Sequence, residues 1–100
     1  MTGKQTDCDK QHEIARGDFV VSLAGRDRGR TFIVTEVCGD GYVMIVDGKL
    51  RKVDKPKRKK LKHVSYAGGR CSENVETLTN RKAAAEIRRF CELGLSETVS

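Results

Sequence analysis

The chain has few of the features by which enzymes and membrane proteins are recognised. It contains no tryptophan and a single proline, and only 5% of its residues are aromatic, so no aromatic platform for single-stranded bases is evident. No apolar run approaches the roughly 20 residues of a membrane-spanning helix. It also lacks a glycine-rich phosphate loop and a nucleophile elbow. We therefore expect a cytoplasmic protein with no enzymatic activity, no catalytic residues, no cofactor and no membrane attachment.

Metal-ligand pairs are equally sparse. Cys8 and His12 have a spacing that could supply two ligands, but the other cysteines and His63 form no second close pair. We therefore expect no metal site and reduced thiols. Cys38, at the end of an apolar run, and Cys91, in an apolar stripe, are interpreted as small core residues.

Positive charge is abundant and unevenly distributed. The formal net charge is +6 and the sequence pI is about 9.4, which favours a polyanionic partner, with nucleic acid ahead of an anionic membrane. Residues 49–62, called here the basic segment, carry nine basic residues and one acid, whereas the rest of the chain has a net charge of −2. The excess is local and therefore indicates a binding surface. Its basic residues are Lys49, Arg51, Lys52, Lys55, Lys57, Arg58, Lys59, Lys60 and Lys62.

Short β-forming runs alternate with glycine-containing turns between residues 17 and 69. The runs 19–23, 31–38 and 42–46 are rich in branched and aromatic residues, which is typical of strands. Asp47-Gly48 suits a two-residue type I′ turn, so residues from Lys49 onward are predicted to pair back on the third strand. Pro56 should end that pairing, and residues 61–66 form a last short strand. The pattern predicts a mainly β fold with a small five-stranded barrel.

The C-terminal part changes to a helical period. Apolar residues recur at steps of three and four, and Gly94 is well placed to end the helix. This predicts an amphipathic α-helix that covers an open side of the barrel or docks on another protein. The stripe consists of Val75, Leu78, Ala84, Ile87, Phe90 and Cys91.

The stretch 17–37 resembles the KOW motif, found in ribosomal large-subunit proteins, their bacterial RNA-binding relatives and transcription elongation factors of the NusG kind. Gly17-Asp18 precedes a hydrophobic strand, a short basic loop follows, and Gly29 matches the key glycine before a second strand. The likeness continues through residues 42–48 and covers about half of the chain. It implies an SH3-like barrel that binds RNA.

The loop around Gly29 suits an RNA contact on physical grounds as well. Glycine takes a positive φ at little cost and lets a sugar-phosphate backbone approach closely, and guanidinium groups can meet phosphate oxygens in pairs. Lysines add affinity without reading sequence, and of the aromatic side chains only Tyr66, with the nearby imidazole of His63, is a stacking candidate. The predicted RNA-binding residues outside the basic segment are Arg26, Arg28, Gly29, Arg30 and His63.

Taken together, these features predict three regions: a leader over 1–15, a KOW SH3-like barrel over 16–68, and a linker with the helix over 69–100. The expected partner is structured RNA, in particular ribosomal RNA, with ribosomal proteins as further partners, and the free protein is expected to be a monomer. Two other readings stay open. One is a transcription-associated KOW factor, and the other is a protein-interaction module of SH3-like fold.

Overall fold

The computed structural model describes the backbone of residues 13–99 and the side chains of residues 13–92. Its five strands form one antiparallel sheet in the order β4-β3-β2-β1-β5, followed by a helix. The predicted mainly β class with a C-terminal helix is therefore confirmed. The elements are β1 (Asp18–Ser22), β2 (Thr31–Val37), β3 (Tyr42–Val46), β4 (Lys57–Lys60), a 3-10 turn (Leu61–His63), β5 (Val64–Arg70), a second 3-10 turn (Val75–Thr77) and α1 (Asn80–Val99).

The first three strands lie close to their predicted positions because each is an apolar run bounded by turn residues. β1 pairs with β2 through Val20 opposite Phe32.

The Gly17-Asp18 dipeptide at the start of β1 has a structural role. Asp18 is buried, and its Oδ2 accepts a hydrogen bond from the backbone N–H of Ala15 at 2.8 Å, so its carboxylate fixes the turn before β1.

The predicted return strand after Asp47-Gly48 is wrong. Residues 49–55 form a loop, and β3 pairs instead with β4. Asp47 contributes to this outcome, because one of its carboxylate oxygens accepts the backbone N–H groups of both Lys49 and Arg51 at 2.8 Å. A side chain that satisfies these donors competes with a strand ladder. Pro56 consequently lies before a strand and does not end one.

The sheet is strongly curled. β4 and β5 are its two edges, yet only residues 61–63 separate them. Four flat strand spacings would put the edges about 19 Å apart, whereas a four-residue step spans at most about 14 Å. Leu61 N–H donates to Gly41 O, and Leu23 N–H donates to His63 O, both at 2.8 Å. Among the described residues strand pairing ends at β4 and β5, so the sheet is open and a closed barrel stays a prediction.

Both faces of the sheet are buried, which explains its continuous apolar runs. The concave face holds one cluster and the opposite face packs against α1. The first cluster consists of Val20, Phe32, Val34, Val43, Ile45 and Val64, with Ile14 packed against it. The second consists of Phe19, Ile33, Val46, Leu78 and Ala83, with Val53, Ala67, Cys71, Ile87 and Phe90 beside them.

Two glycines let α1 approach the sheet closely. A Cβ on Gly48 would lie 2.1 Å from the carbonyl oxygen of Asn80, and one on Gly69 would lie 2.3 Å from the ring of Phe90. Phe90 stacks on Phe19 with ring centroids 4.2 Å apart. The helix therefore covers one face of the sheet.

Three details of the C-terminal prediction are wrong. The helix begins at Asn80, after Thr79 Oγ1 accepts the Lys82 N–H at 3.1 Å, so Val75 precedes it in a 3-10 turn. The helix continues through Gly94. Cys91 is exposed and not a core residue, because it lies at the margin of the helix face that meets the sheet.

Candidate nucleic-acid interface

Residues 23–30, called here the arginine loop, connect β1 and β2 and display guanidinium groups. Gly29 has φ +85°, and no atom would lie within 4 Å of a Cβ placed on it. Its backbone is therefore open to close approach, as expected from the sequence. Arg26, Arg28 and Arg30 are all exposed. This loop presents three cations around an unobstructed turn.

Two buried carboxylates tie the arginine loop to the start of the basic segment. Asp27 is 5% exposed and accepts a hydrogen bond from Arg51 Nη2 at 3.0 Å. Asp47 is 6% exposed and lies 3.7 Å from Arg30 Nη2. Arg51 is therefore half-buried and holds the two loops together, although the sequence placed it among the RNA-contacting residues. A buried pair of this kind fixes geometry more than it adds stability.

Strand β4 brings the lysines against the same loop. Lys59 Nζ donates a hydrogen bond to the carbonyl oxygen of Ala24 at 2.9 Å. Lys57 and Lys59 lie opposite Ile45 and Val43 of the concave cluster and are half-buried, whereas Arg58 and Lys60 point to the other face and are exposed. An edge strand of this composition resists pairing with other sheets. The arginine loop thus contacts the basic segment at two points, Arg51 and Lys59, and the two elements together are called here the basic surface.

Most of the basic groups on this surface have no internal partner. Arg58 pairs with Asp40, whereas seven exposed cations make no side-chain hydrogen bond or ion pair among the described residues. An exposed, unpaired cation keeps its full charge for a ligand. These seven are Arg26, Arg28, Lys49, Lys52, Lys55, Lys60 and Lys62.

The structure adds a third stacking candidate to the two that the sequence indicates. His63 is half-buried in the 3-10 turn, and Tyr66 is 37% exposed on β5. The ring that lies among the unpaired cations is Tyr42, which is opposite Lys60. The guanidinium carbon of Arg58 lies 4.0 Å from its ring centroid. The sequence did not reveal this, because the contact depends on the register between β3 and β4.

A separate polar cluster joins α1 to the segment after β5 and lies outside the basic surface. Ser72 donates to the Glu86 carboxylate through its backbone N–H at 3.1 Å and through Oγ at 3.0 Å. Burial raises the pKa of Glu86, but these hydrogen bonds, one from Cys71 and the charge of Arg89 outweigh it, so the pKa is lowered. Burial, the nearby Glu86 charge and a hydrogen bond to that carboxylate raise the pKa of Cys71.

Neither metal ligands nor a membrane span are found in the part of the chain that the structure describes. No group of three or more His, Cys, Asp or Glu side chains could hold a metal ion there, and no helix is long and apolar enough to cross a membrane. Cys38, Cys71 and Cys91 form no disulfide. The Cys8 and His12 pair lies outside the described residues.

No family model matches this chain, and no curated protein matches it either. The features of this chain that bear on function are therefore the geometry and charge of the basic surface and the KOW resemblance of residues 17–37.

Proposed function

We propose that this chain is a non-catalytic RNA-binding module with an SH3-like KOW barrel. It contacts structured RNA, in particular ribosomal RNA, through the arginine loop and the basic segment, and it acts as a ribosome or translation accessory in the cytoplasm. The observation that carries this proposal is the contact between the two basic elements. Arg51 reaches Asp27 and Lys59 reaches Ala24, so the arginine loop lies against both the start of the basic segment and strand β4.

Electrostatics supports a polyanion as the ligand. Each phosphate that a cation neutralises releases condensed counterions, which lowers the slope of log K against log salt by about 0.7–0.9. If about five of the exposed cations contact phosphates, the slope is about −4. The only exposed acids within the two basic elements and the turn beside β4 are Asp54 and Asp40, and Asp40 is paired with Arg58.

The shape of this domain favours binding to structured RNA over binding in the major groove of DNA. Among the described residues, α1 is the one long helix, and it packs on the sheet through Phe90 and Ala83, so it does not stand free as a recognition helix for the major groove. Structured RNA is bound largely through its shape, its phosphates and its unpaired nucleotides. The strong curl of the sheet and the short step between its edge strands support the SH3-like barrel of the KOW resemblance.

The test compares two variants with the same loss of charge. Arg26→Gln with Arg28→Gln removes two cations from the arginine loop, and Lys82→Gln with Arg89→Gln removes two from α1, beside the cluster of Ser72 and Glu86. Binding to a labelled RNA hairpin is measured by fluorescence anisotropy from 50 to 300 mM salt. Circular dichroism verifies that each variant is folded.

We expect the arginine-loop variant to bind more weakly and to make the salt slope less steep by about 2, or about 1 for each lost phosphate contact. The α1 variant should behave like the wild type. Equal weakening by both variants would show that net charge alone drives binding, and no measurable binding of the wild-type chain would overturn the proposal.

A further inference from the structure

We infer that the hollow beside Tyr42 is a binding subsite for one unpaired nucleotide, whose base stacks on the Tyr42 ring while Lys60 and Lys62 bind its flanking phosphates. This inference rests on the proposed function, because it names a feature of the RNA that the basic surface would select. The subsite would let the basic surface distinguish bulged from fully paired RNA, whereas its cations alone bind phosphates in either.

The hollow has a suitable size and lining for a base. It measures about 480 Å³, within the range of about 300–1,000 Å³ that small-molecule sites occupy. Leu61, which is 36% exposed, contributes an apolar wall. The lining residues are Asp40, Gly41, Tyr42, Lys60, Leu61 and Lys62.

The Tyr42 ring is held before any ligand arrives. Arg58 covers one face, with its guanidinium carbon 4.0 Å from the ring centroid, and Asp40 binds that guanidinium from the turn between β2 and β3. Arg58 does not line the hollow, so the hollow borders the part of the ring that Arg58 leaves uncovered. A ring fixed in this way loses little conformational freedom on stacking.

The charges around the hollow match a nucleotide better than an apolar peptide. Lys60 and Lys62 lie on its rim, are exposed and have no side-chain partner among the described residues. An apolar side chain would fill the hollow but leave both cations unmatched. An unpaired nucleotide supplies a flat base for the ring and a phosphate on each side of it.

The position of the hollow also fits a bulge within a helix. Lys60 ends β4, the strand whose Lys59 contacts the arginine loop at Ala24. The cations of that loop and the hollow are therefore linked by one edge strand. RNA whose paired stem lies on the arginine loop could place one extruded base at Tyr42, because bases in bulges are unstacked at low cost.

The experiment compares two RNA hairpins that have the same stem and differ by a single bulged nucleotide. Affinities are measured for the full chain by anisotropy, together with Tyr42→Phe, which keeps the ring, and Tyr42→Leu, which removes it. Leu61→Ser tests the apolar wall independently, in case the strand variant does not fold. All variants keep the net charge.

The wild type and Tyr42→Phe should each bind the bulged hairpin about tenfold more tightly than the fully paired hairpin. A tenfold difference corresponds to the stacking free energy of one base on an aromatic ring. Tyr42→Leu should lose this preference and keep its affinity for the paired hairpin, and Leu61→Ser should reduce the preference. If the wild type binds both hairpins with equal affinity, the subsite is overturned and RNA binding stays intact. The same conclusion follows if Tyr42→Leu loses affinity equally for both hairpins. Failure to bind either hairpin would overturn the proposed function itself.

Discussion

Replacing Gly48 by alanine should detach the start of α1 from the sheet. Gly48 has φ +80°, and an added Cβ would lie 2.1 Å from the Asn80 carbonyl oxygen and 3.0 Å from the backbone nitrogen of Ala84. Both atoms belong to the helix backbone and cannot rotate away. Gly41 offers a matched control, because its φ is +88° and no atom lies within 4 Å of its Cβ position.

The two variants should differ by about 2 kcal/mol. Alanine at a positive φ costs about 1–2 kcal/mol at either site, partly offset by the lower entropy of the unfolded chain. At Gly48 the helix must also withdraw. This would break the hydrogen bond from Val53 N–H to Asn80 Oδ1, now 2.7 Å long, at about 1 kcal/mol, and would disturb the packing of Ala83 at about 1 kcal/mol more.

Urea denaturation followed by circular dichroism measures this difference. With a slope of about 2 kcal/mol per M, Gly41→Ala should lower the midpoint by about 0.5 M and Gly48→Ala by about 1.5 M. Equal shifts for the two variants would refute the claim that Gly48 is required for close approach of α1.

Two further predictions concern the cluster that joins α1 to the segment after β5. Because the pKa of Glu86 is lowered from its usual 4.5, its carboxylate stabilises the fold above that pH, and the effect is lost as the pH falls through the folded-state value. Glu86→Gln should cost about 1 kcal/mol at pH 7 and progressively less as the pH is lowered towards the folded-state pKa in urea denaturation, and a loss that does not depend on pH would contradict this. Because burial raises the pKa of Cys71, iodoacetamide at pH 7.5 should modify the exposed Cys91 before Cys71 in peptide mass mapping, and faster modification of Cys71 would contradict the role of burial.

Where hydrophobic pattern and turn chemistry agree, the fold could be predicted from the sequence. β3, for example, is an apolar run between Gly41 and Asp47 and begins and ends where the pattern indicates. β4 could not be found in this way, since Lys57–Lys60 has no apolar residue. Its strand conformation comes from pairing with β3, and the apolar stems of Lys57 and Lys59 are half-buried opposite Ile45 and Val43.

The turn at Asp47-Gly48 shows how a strong local signal can mislead. Gly48 does have a positive φ, as a type I′ turn requires. The same conformation also serves a wider loop in which Asp47 binds two backbone N–H groups and α1 packs against the glycine. That choice depends on a helix about 30 residues further along the chain, which no local pattern contains.

The candidate site was predictable in position but not in its internal contacts. Exposed arginines around Gly29 follow from the local sequence, and the structure places them as expected. The ion pairs of Asp27 and Asp47 require two loops to meet, and the contact of Arg58 with Tyr42 requires a register between two strands. Tertiary packing sets both, so the sequence indicated the cations but not which of them hold the site together.

Sedimentation of the tagged chain from cell lysate on a sucrose gradient tests the central claim, RNA binding at the ribosome, most directly. The gradient is run at low and high salt, with and without RNase, and with the arginine-loop variant. The account predicts that the wild-type chain migrates with a ribosomal subunit at low salt and that RNase, high salt or the variant releases it. A chain that stays at the top of the gradient under every condition would contradict the claim.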